Sequence, residues 1–215
     1  MKSGKTVHNA SGAGKWFPRN PDELRFIVEN CINEANVPAI KGKIRAGISP
    51  HAGFEYSGPV AGHTFRALRD NAESASRPET VVVAGFTHSL SFEGIALMEE
   101  DSIATPLGEM AIDREAAAAI LADCGEDVVF DTRPHLNEHS AENQVPFLQC
   151  ALPGARVVLA LCGDHRVETV ALLVEGLTAL SLERDIVALA STDMLHSPDY
   201  DLVTRTDSST LEKLK

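Results

Sequence analysis

Four short apolar runs constrain this chain more than any other feature of it. Ile44–Ile48 (IRAGI), Thr80–Ala84 (TVVVA), Arg156–Leu161 (RVVLAL) and Ile186–Ala190 (IVALA) are rich in Val, Ile, Leu and Ala, with IRAGI the weakest of the four. A strand with one wet face alternates apolar and polar residues. A short run apolar at successive positions instead fits a strand covered on both sides, as in a parallel sheet between helices. Helical patterns lie between the runs, at roughly 58–69, 113–124 and 166–181, with Asp113 placed to cap the second. A further helix starts at Asn20-Pro21-Asp22-Glu23, where Asn20 can cap and Pro21 suits the first turn. Leu24, Ile27, Val28, Cys31, Ile32 and Ala35 follow at helical spacing, and Pro38 ends it. Strands alternating with helices give an α/β fold, a layered α/β/α domain with a mainly parallel central sheet. Between these elements, Ile95–Met98 reads as an extra strand or edge segment and Thr105-Pro106-Leu107-Gly108 as a turn.

Bulk properties narrow the class further. The 215 residues suit one domain spanning 1–215, and 44% hydrophobic residues suffice for a real core. Aromatics are only 5%, so aliphatic side chains must do the packing. A net charge of −12 disfavours nucleic acid and anionic membrane surfaces as partners. The four cysteines, Cys31, Cys124, Cys150 and Cys162, form no CxxC pair, which argues against zinc knuckles and a dense disulfide framework. No apolar run follows the charged N-terminus and none is long enough to span a bilayer, so the expected compartment is the cytoplasm.

The chemistry collects behind the strands. Each apolar run is followed by a loop carrying histidine: Ser49-Pro50-His51-Ala52-Gly53, Gly85-Phe86-Thr87-His88-Ser89, Cys162-Gly163-Asp164-His165, and Ser191-Thr192-Asp193-Met194-Leu195-His196. Parallel strands share one carboxyl edge, where ligands bind in open α/β sheets, so at least two of these histidines are expected to share a site. His165 follows Gly-Asp and reads equally well as a turn residue. His63 lies inside a helical pattern and reads as structural, Cys162 as a small buried residue, and His8 carries no signal. The segment His135–Phe147 packs Glu138, His139, Ser140, Glu142 and Gln144 together. Its spacing favours a solvated helix start capped by Ser140, with Glu142 near the positive helix end.

Neutral imidazole binds Fe, Cu, Zn or Ni, and two histidines with one carboxylate is a pattern of non-haem Fe(II) oxygen chemistry. His51 and His88 form the best ligand pair. Asp193 and His196, three residues apart, suit one face of a turn. Asp193, Glu138 and His196 each fit either a ligand or an acid/base role.

Pro50-His51-Ala52-Gly53-Phe54-Glu55-Tyr56-Ser57-Gly58 resembles the "PHAGY.YSG" signature of the Memo family. Further matches fall in the same order. Ala13–Pro18 resembles "AGSWYP", Gly85–His88 resembles "GPSH", and Thr105–Gly108 with Asp113 resembles "TPLG…D". Glu138–Phe147 resembles "EHSLEVQLPF", and Ser191–His196 resembles "SSDFSH". Phe86 departs from the pattern, where Pro is usual, and so does Leu195, where a small or polar residue is common.

The resemblance implies a fold similar to class III extradiol dioxygenases, which are non-haem iron enzymes. It implies that His51 and His88 are metal ligands and that His196 is a pocket acid/base. Asp193, Glu138 and His139 fall in pocket motifs without an assigned role. It places a third metal ligand, a Cys, in a C-terminal part that this chain lacks, and loss of that part would expose an apolar edge or face and favour homo-oligomers. It also implies AMMECR1-like and radical-SAM proteins as partners.

The leading expectation is a metal-dependent, dioxygenase-like oxidoreductase using Fe(II) or Cu, with Zn less favoured. His196, supported by Asp193, would move protons. Two rivals stand beside it: a module that binds a peptide or small molecule without turnover, and a zinc hydrolase or lyase using Asp193 and His196.

Overall fold

The computed structural model describes residues 4–214, the side chains of Asp123 and Glu126 excepted. Its centre is a six-stranded sheet formed by β2 (Ala46–Ser49), β3 (Thr80–Phe86), β4 (Ile95–Leu97), β7 (Val128–Phe130), β8 (Arg156–Cys162) and β9 (Ile186–Ser191), in the order β2-β9-β3-β8-β4-β7. The first four in that order run parallel. β4 turns antiparallel on β8, and β7 follows β4. The sheet is thus mainly parallel, and the four apolar runs are its four parallel strands.

Helices cover both faces. On one side pack α1 (Pro21–Glu34), α2 (Phe54–Ser74) and α4 (Val145–Ala151); on the other, α3 (Arg114–Cys124) and α5 (Val167–Glu183). The strands divide between the layers with the period of two that a pleated backbone imposes. Val81, Val83, Val157, Leu159, Leu161, Val187 and Leu189 face the first core. Val82, Val158, Ala160 and Ile186 face the second. The central strands β3 and β8 are therefore apolar at successive positions, because both of their faces are buried.

Local signals set the helix ends. The Asn20 side chain accepts from the N–H groups of Asp22 and Glu23, and Asp113 accepts from Ala116, each cap contributing about 1 kcal/mol. α2 starts four residues before the expected 58 and contains Gly58, Pro59 and Gly62. Gly62 is needed where it stands, since a Cβ there would lie 2.1 Å from the Cys31 carbonyl oxygen. Close crossing of α1 and α2 thus outweighs the low helix propensity of Gly62.

A small second sheet escaped the sequence reading. In it β1 (Val7–Asn9) pairs parallel with β5 (Ser102–Thr105), which pairs antiparallel with β6 (Gly108–Ala111) across the expected turn. Its strands are three or four residues long, too short for a periodic signal. It makes His8 informative after all. His8 is buried, and its Nε2 lies 2.7 Å from Oε1 of Glu142, whose other oxygen accepts from the N–H groups of Ser11 and Gly12.

The segment 135–147 is correspondingly not a solvated helix start. Glu138, Ser140, Glu142, Asn143 and Gln144 are buried, and Ser140 caps nothing. Among the described residues no strand pairs with the outer edge of β2, where Ile48 is exposed beside Val170 and Val174 of α5. The terminal helix α6 (Tyr200–Glu212) buries none of its residues. No helix of the described residues is long and apolar enough to cross a membrane.

Candidate metal centre

Three adjacent parallel strands deliver the site. Ser49 of β2 is in register with Ser191 of β9, and Ala190 with Ala84 of β3, so these strands end at one edge. His51, His88 and Asp193 each stand two residues beyond the last residue of β2, β3 and β9. The regular spacing of the strands, rather than any local sequence motif, thus sets these three side chains side by side.

The fourth contributor comes from the loop that precedes α4. Ser140 clips this loop to the end of β3: its hydroxyl donates to the Phe86 carbonyl at 2.8 Å and accepts from the Phe86 N–H at 3.2 Å. The approach depends on Gly85, where a Cβ would stand 2.6 Å from the Ser140 Oγ. With the loop so placed, His139 joins His51 and His88. One ring nitrogen from each of the three lies within 4.8 Å of the others, a spacing at which a single ion can be held.

Hydrogen bonds orient the rings. His51 is 3% exposed, and its Nδ1 lies 3.1 Å from the Ser191 hydroxyl. Its Nε2 is buried and has no hydrogen-bond partner. His88, half-exposed, places Nδ1 2.9 Å from Oε1 of Glu138. Glu138 also accepts from the backbone N–H groups of His88, His139 and Ser140. Burial pushes this carboxyl up, but the backbone donors of His88 and Ser140, with the His88 ring, more than offset it and hold it below the usual carboxylate range. Glu138 is therefore an anion, and the nitrogen facing it carries the proton. In the neutral ring, Nε2 is then the nitrogen with the lone pair.

Burial favours the neutral form of the other two rings. Burial lowers His51, with the neighbouring His88 adding to it against the pull of Asp193. Burial, opposed by Glu138 and reinforced by His88 and His51, drops His139 to about 4. Neutral imidazoles are the form that ligates metal. Trp16 stacks on His139 with ring centroids 3.9 Å apart and planes 8° from parallel, walling one side of the cluster.

Asp193 and His196 come together but sit at the margin. Asp193 Oδ2 is 3.1 Å from His196 Nε2 and 3.7 Å from His51 Nε2. His196 is exposed to solvent, so the pair links the His51 ring to the outside. Of the four strand-end histidines, His51 and His88 share the cluster and His196 reaches it through Asp193. His165 instead stacks on Phe86 at 3.9 Å, outside it.

Sequence reasoning underrated His139, because its segment was read as a solvated helix start. It also passed over Trp16, Gln144 and Ser191 as contributors. The signal for His139 was the polar run from Glu138 to Gln144 directly before an apolar stretch, which has the composition of a helix start without being solvated.

Comparisons with known proteins identify the family. A model of the family described as Memo-like protein matches residues 8–215. A MEMO1 family protein of Methanopyrus kandleri is 35% identical over 214 residues, covering 94% of this chain and 73% of that protein. One of Methanothermobacter thermautotrophicus is 33% identical over 216 residues, covering 97% of this chain and 76% of that protein. A third, of Sulfurisphaera tokodaii, is 34% identical over 215 residues, covering 94% and 74%. With the family model spanning nearly the whole chain and such relatives beside it, the chain belongs to the Memo-like family.

Proposed function

We propose that this chain binds one transition-metal ion through His51, His88 and His139 and uses it in dioxygenase-like redox chemistry on a small molecule. The observation that carries the reading is the buried Nε2 of His51, left without a hydrogen-bond partner among two other imidazoles. A buried polar atom without a partner is costly unless something satisfies it, and a metal ion would. The donor set fits: three imidazoles suit Fe(II) or Cu, and the carboxylate behind His88 is the kind of outer partner that orients a ligand ring. A metal held here would supply Lewis-acid and redox chemistry to a molecule bound beside it.

The protein's own groups have separable tasks. Glu138 holds the ring of His88 and the backbone of His139. Trp16 covers His139 and excludes water from that side. Asp193 and His196 move a proton between the centre and solvent, since His196 is exposed and its Nε2 bonds the Asp193 oxygen nearest His51. Elemental analysis of anaerobically purified protein tests the reading. About one Fe or Cu per chain is expected, lost in the His51→Ala/His88→Ala variant. Zinc alone, with no oxygen uptake, would favour a hydrolase or lyase working through Asp193 and His196. Stoichiometric metal retained in the double variant would sink the site.

A second reading rests on the cavity of about 720 Å³ beside Trp16, lined among others by Phe17, Phe54, Glu55 and Tyr56. A peptide or small molecule bound there without turnover would make the chain a recognition module. Ligand capture that survives loss of His51 and His88 would favour it.

A further inference from the structure

We infer that Ser191 is a positioning residue: its hydroxyl fixes His51 in the tautomer protonated on Nδ1 and thereby turns a bare Nε2 toward the cluster. A serine hydroxyl has one proton to give and two lone pairs to fill. Ser191 Oγ has three partners: the Ser140 carbonyl oxygen, Nε2 of Gln144 at 2.8 Å, and Nδ1 of His51 at 3.1 Å.

The Ser140 carbonyl can only accept, so the serine proton goes there. The orientation of the Gln144 amide is fixed in turn. Its Nε2 also lies 3.0 Å from the Pro50 carbonyl, another group that can only accept, so the nitrogen must face both. One amide proton goes to Pro50 and the other to Ser191. The hydroxyl then has a single lone pair left, and it faces His51 Nδ1. Only a protonated Nδ1 satisfies it.

The opposite tautomer is not idle, which gives the serine something to decide. Asp193 Oδ2 stands 3.7 Å from His51 Nε2 and would attract a proton placed there. With the proton on Nε2, two lone pairs would face each other between Nδ1 and Ser191, and the ring would be turned toward Asp193 rather than toward a metal. Ser191, backed by Gln144 and Ser140, outweighs the carboxylate. His88 reaches the same tautomer through Glu138, so two rings are preset by two different devices, a buried anion and a saturated hydroxyl.

The inference rests on the metal-binding reading only for its effect on affinity; the tautomer itself does not need a metal. The test is two-bond ¹H–¹⁵N correlation of metal-free, ¹⁵N-histidine-labelled protein at pH 8, with His51 assigned by the signals missing in His51→Gln. In the wild type, Nδ1 of His51 is expected as the pyrrole-type nitrogen and Nε2 as the pyridine-type. Ser191→Ala moves the proton to Nε2, and Ser191→Thr, which keeps the hydroxyl, holds it on Nδ1. Equilibrium dialysis with Co(II) is the second readout, with a 10- to 100-fold loss of affinity in Ser191→Ala and recovery in Ser191→Thr.

Wild-type His51 protonated on Nε2 overturns the inference whatever the metal result, and that spectrum decides even if Ser191→Ala fails to fold. A folded Ser191→Ala variant that keeps the proton on Nδ1 also overturns it. The expected tautomers with no Co(II) bound to the wild type support the role of Ser191 and count against the metal reading alone.

Discussion

Nδ1 of His88 lies 2.9 Å from Oε1 of Glu138, a carboxylate only 2% exposed. The same carboxylate collects backbone N–H groups from His88, His139 and Ser140, so one anion holds the His88 ring and the backbone that carries His139. Glu138→Gln keeps the shape but replaces an anion by an amide that cannot accept with both ends. The backbone donors are then left short, at a cost of about 1–3 kcal/mol in urea unfolding. Co(II) affinity should fall by one to two orders of magnitude, read by equilibrium dialysis. An unchanged affinity would mean that Glu138 supports the loop and not the ligand.

Gly85 predicts a coupling between packing and site. Alanine there sets a methyl 2.6 Å from the Ser140 Oγ and about 3.0 Å from the Ala141 nitrogen, neither of which can move without shifting the loop. Overpacking of this kind costs about 1–3 kcal/mol. The displaced loop carries Glu138 and His139, so metal affinity should fall together with the melting temperature. A variant that melts early but binds Co(II) normally would show that the loop relaxes elsewhere.

The scaffold was far more legible in the sequence than the site. The four apolar runs give their strands to within two residues; β3 and β8 read strongest because burial on both faces leaves little room for polar positions, and β2, an exposed edge strand, reads weakest. The convergence of His51, His88 and Asp193 followed from the shared carboxyl edge. His139 did not follow. Its position depends on a loop held by Ser140, Gly85 and the buried pair of His8 with Glu142, contacts that join residues 54 to 134 positions apart. No local pattern encodes such contacts, and the composition of that segment imitates a helix start. The short strands of the second sheet were missed for a related reason, since they are stabilised by their neighbours rather than by their own periodicity.

Stability should fall in mild acid because of His135. The ring is buried, its Nε2 donates to the Ala96 carbonyl, and burial depresses it from 6.5 to about 4. A histidine depressed in the folded state contributes stability that is fully present above the unfolded value near 6.5. It is lost as the pH falls toward about 4, where the folded form also takes the proton. Between pH 7 and pH 5 the loss from this residue is roughly 2 kcal/mol. His51 and His139 are lowered as well and add with the same sign. Urea unfolding at the two pH values reads the sum, and His135→Gln should flatten the dependence. An equal pH dependence in wild type and variant would remove His135 as its source.

Trp16 makes the proposed centre observable. It is the single tryptophan of the chain, and it stacks 3.9 Å from the ring of His139. A paramagnetic ion held by that imidazole would lie within contact distance of the indole. Titration with Cu(II) should therefore quench the intrinsic emission in proportion to occupancy, saturating near one ion per chain. His139→Ala should abolish the saturable phase, leaving only weak, linear quenching by collision. The same titration followed by thermal melting should stabilise the protein by about 2.7 kcal/mol at a hundredfold excess over the dissociation constant. Stabilisation without quenching would place the ion away from His139, on His51, His88 and Asp193. Quenching without stabilisation would mean collision alone.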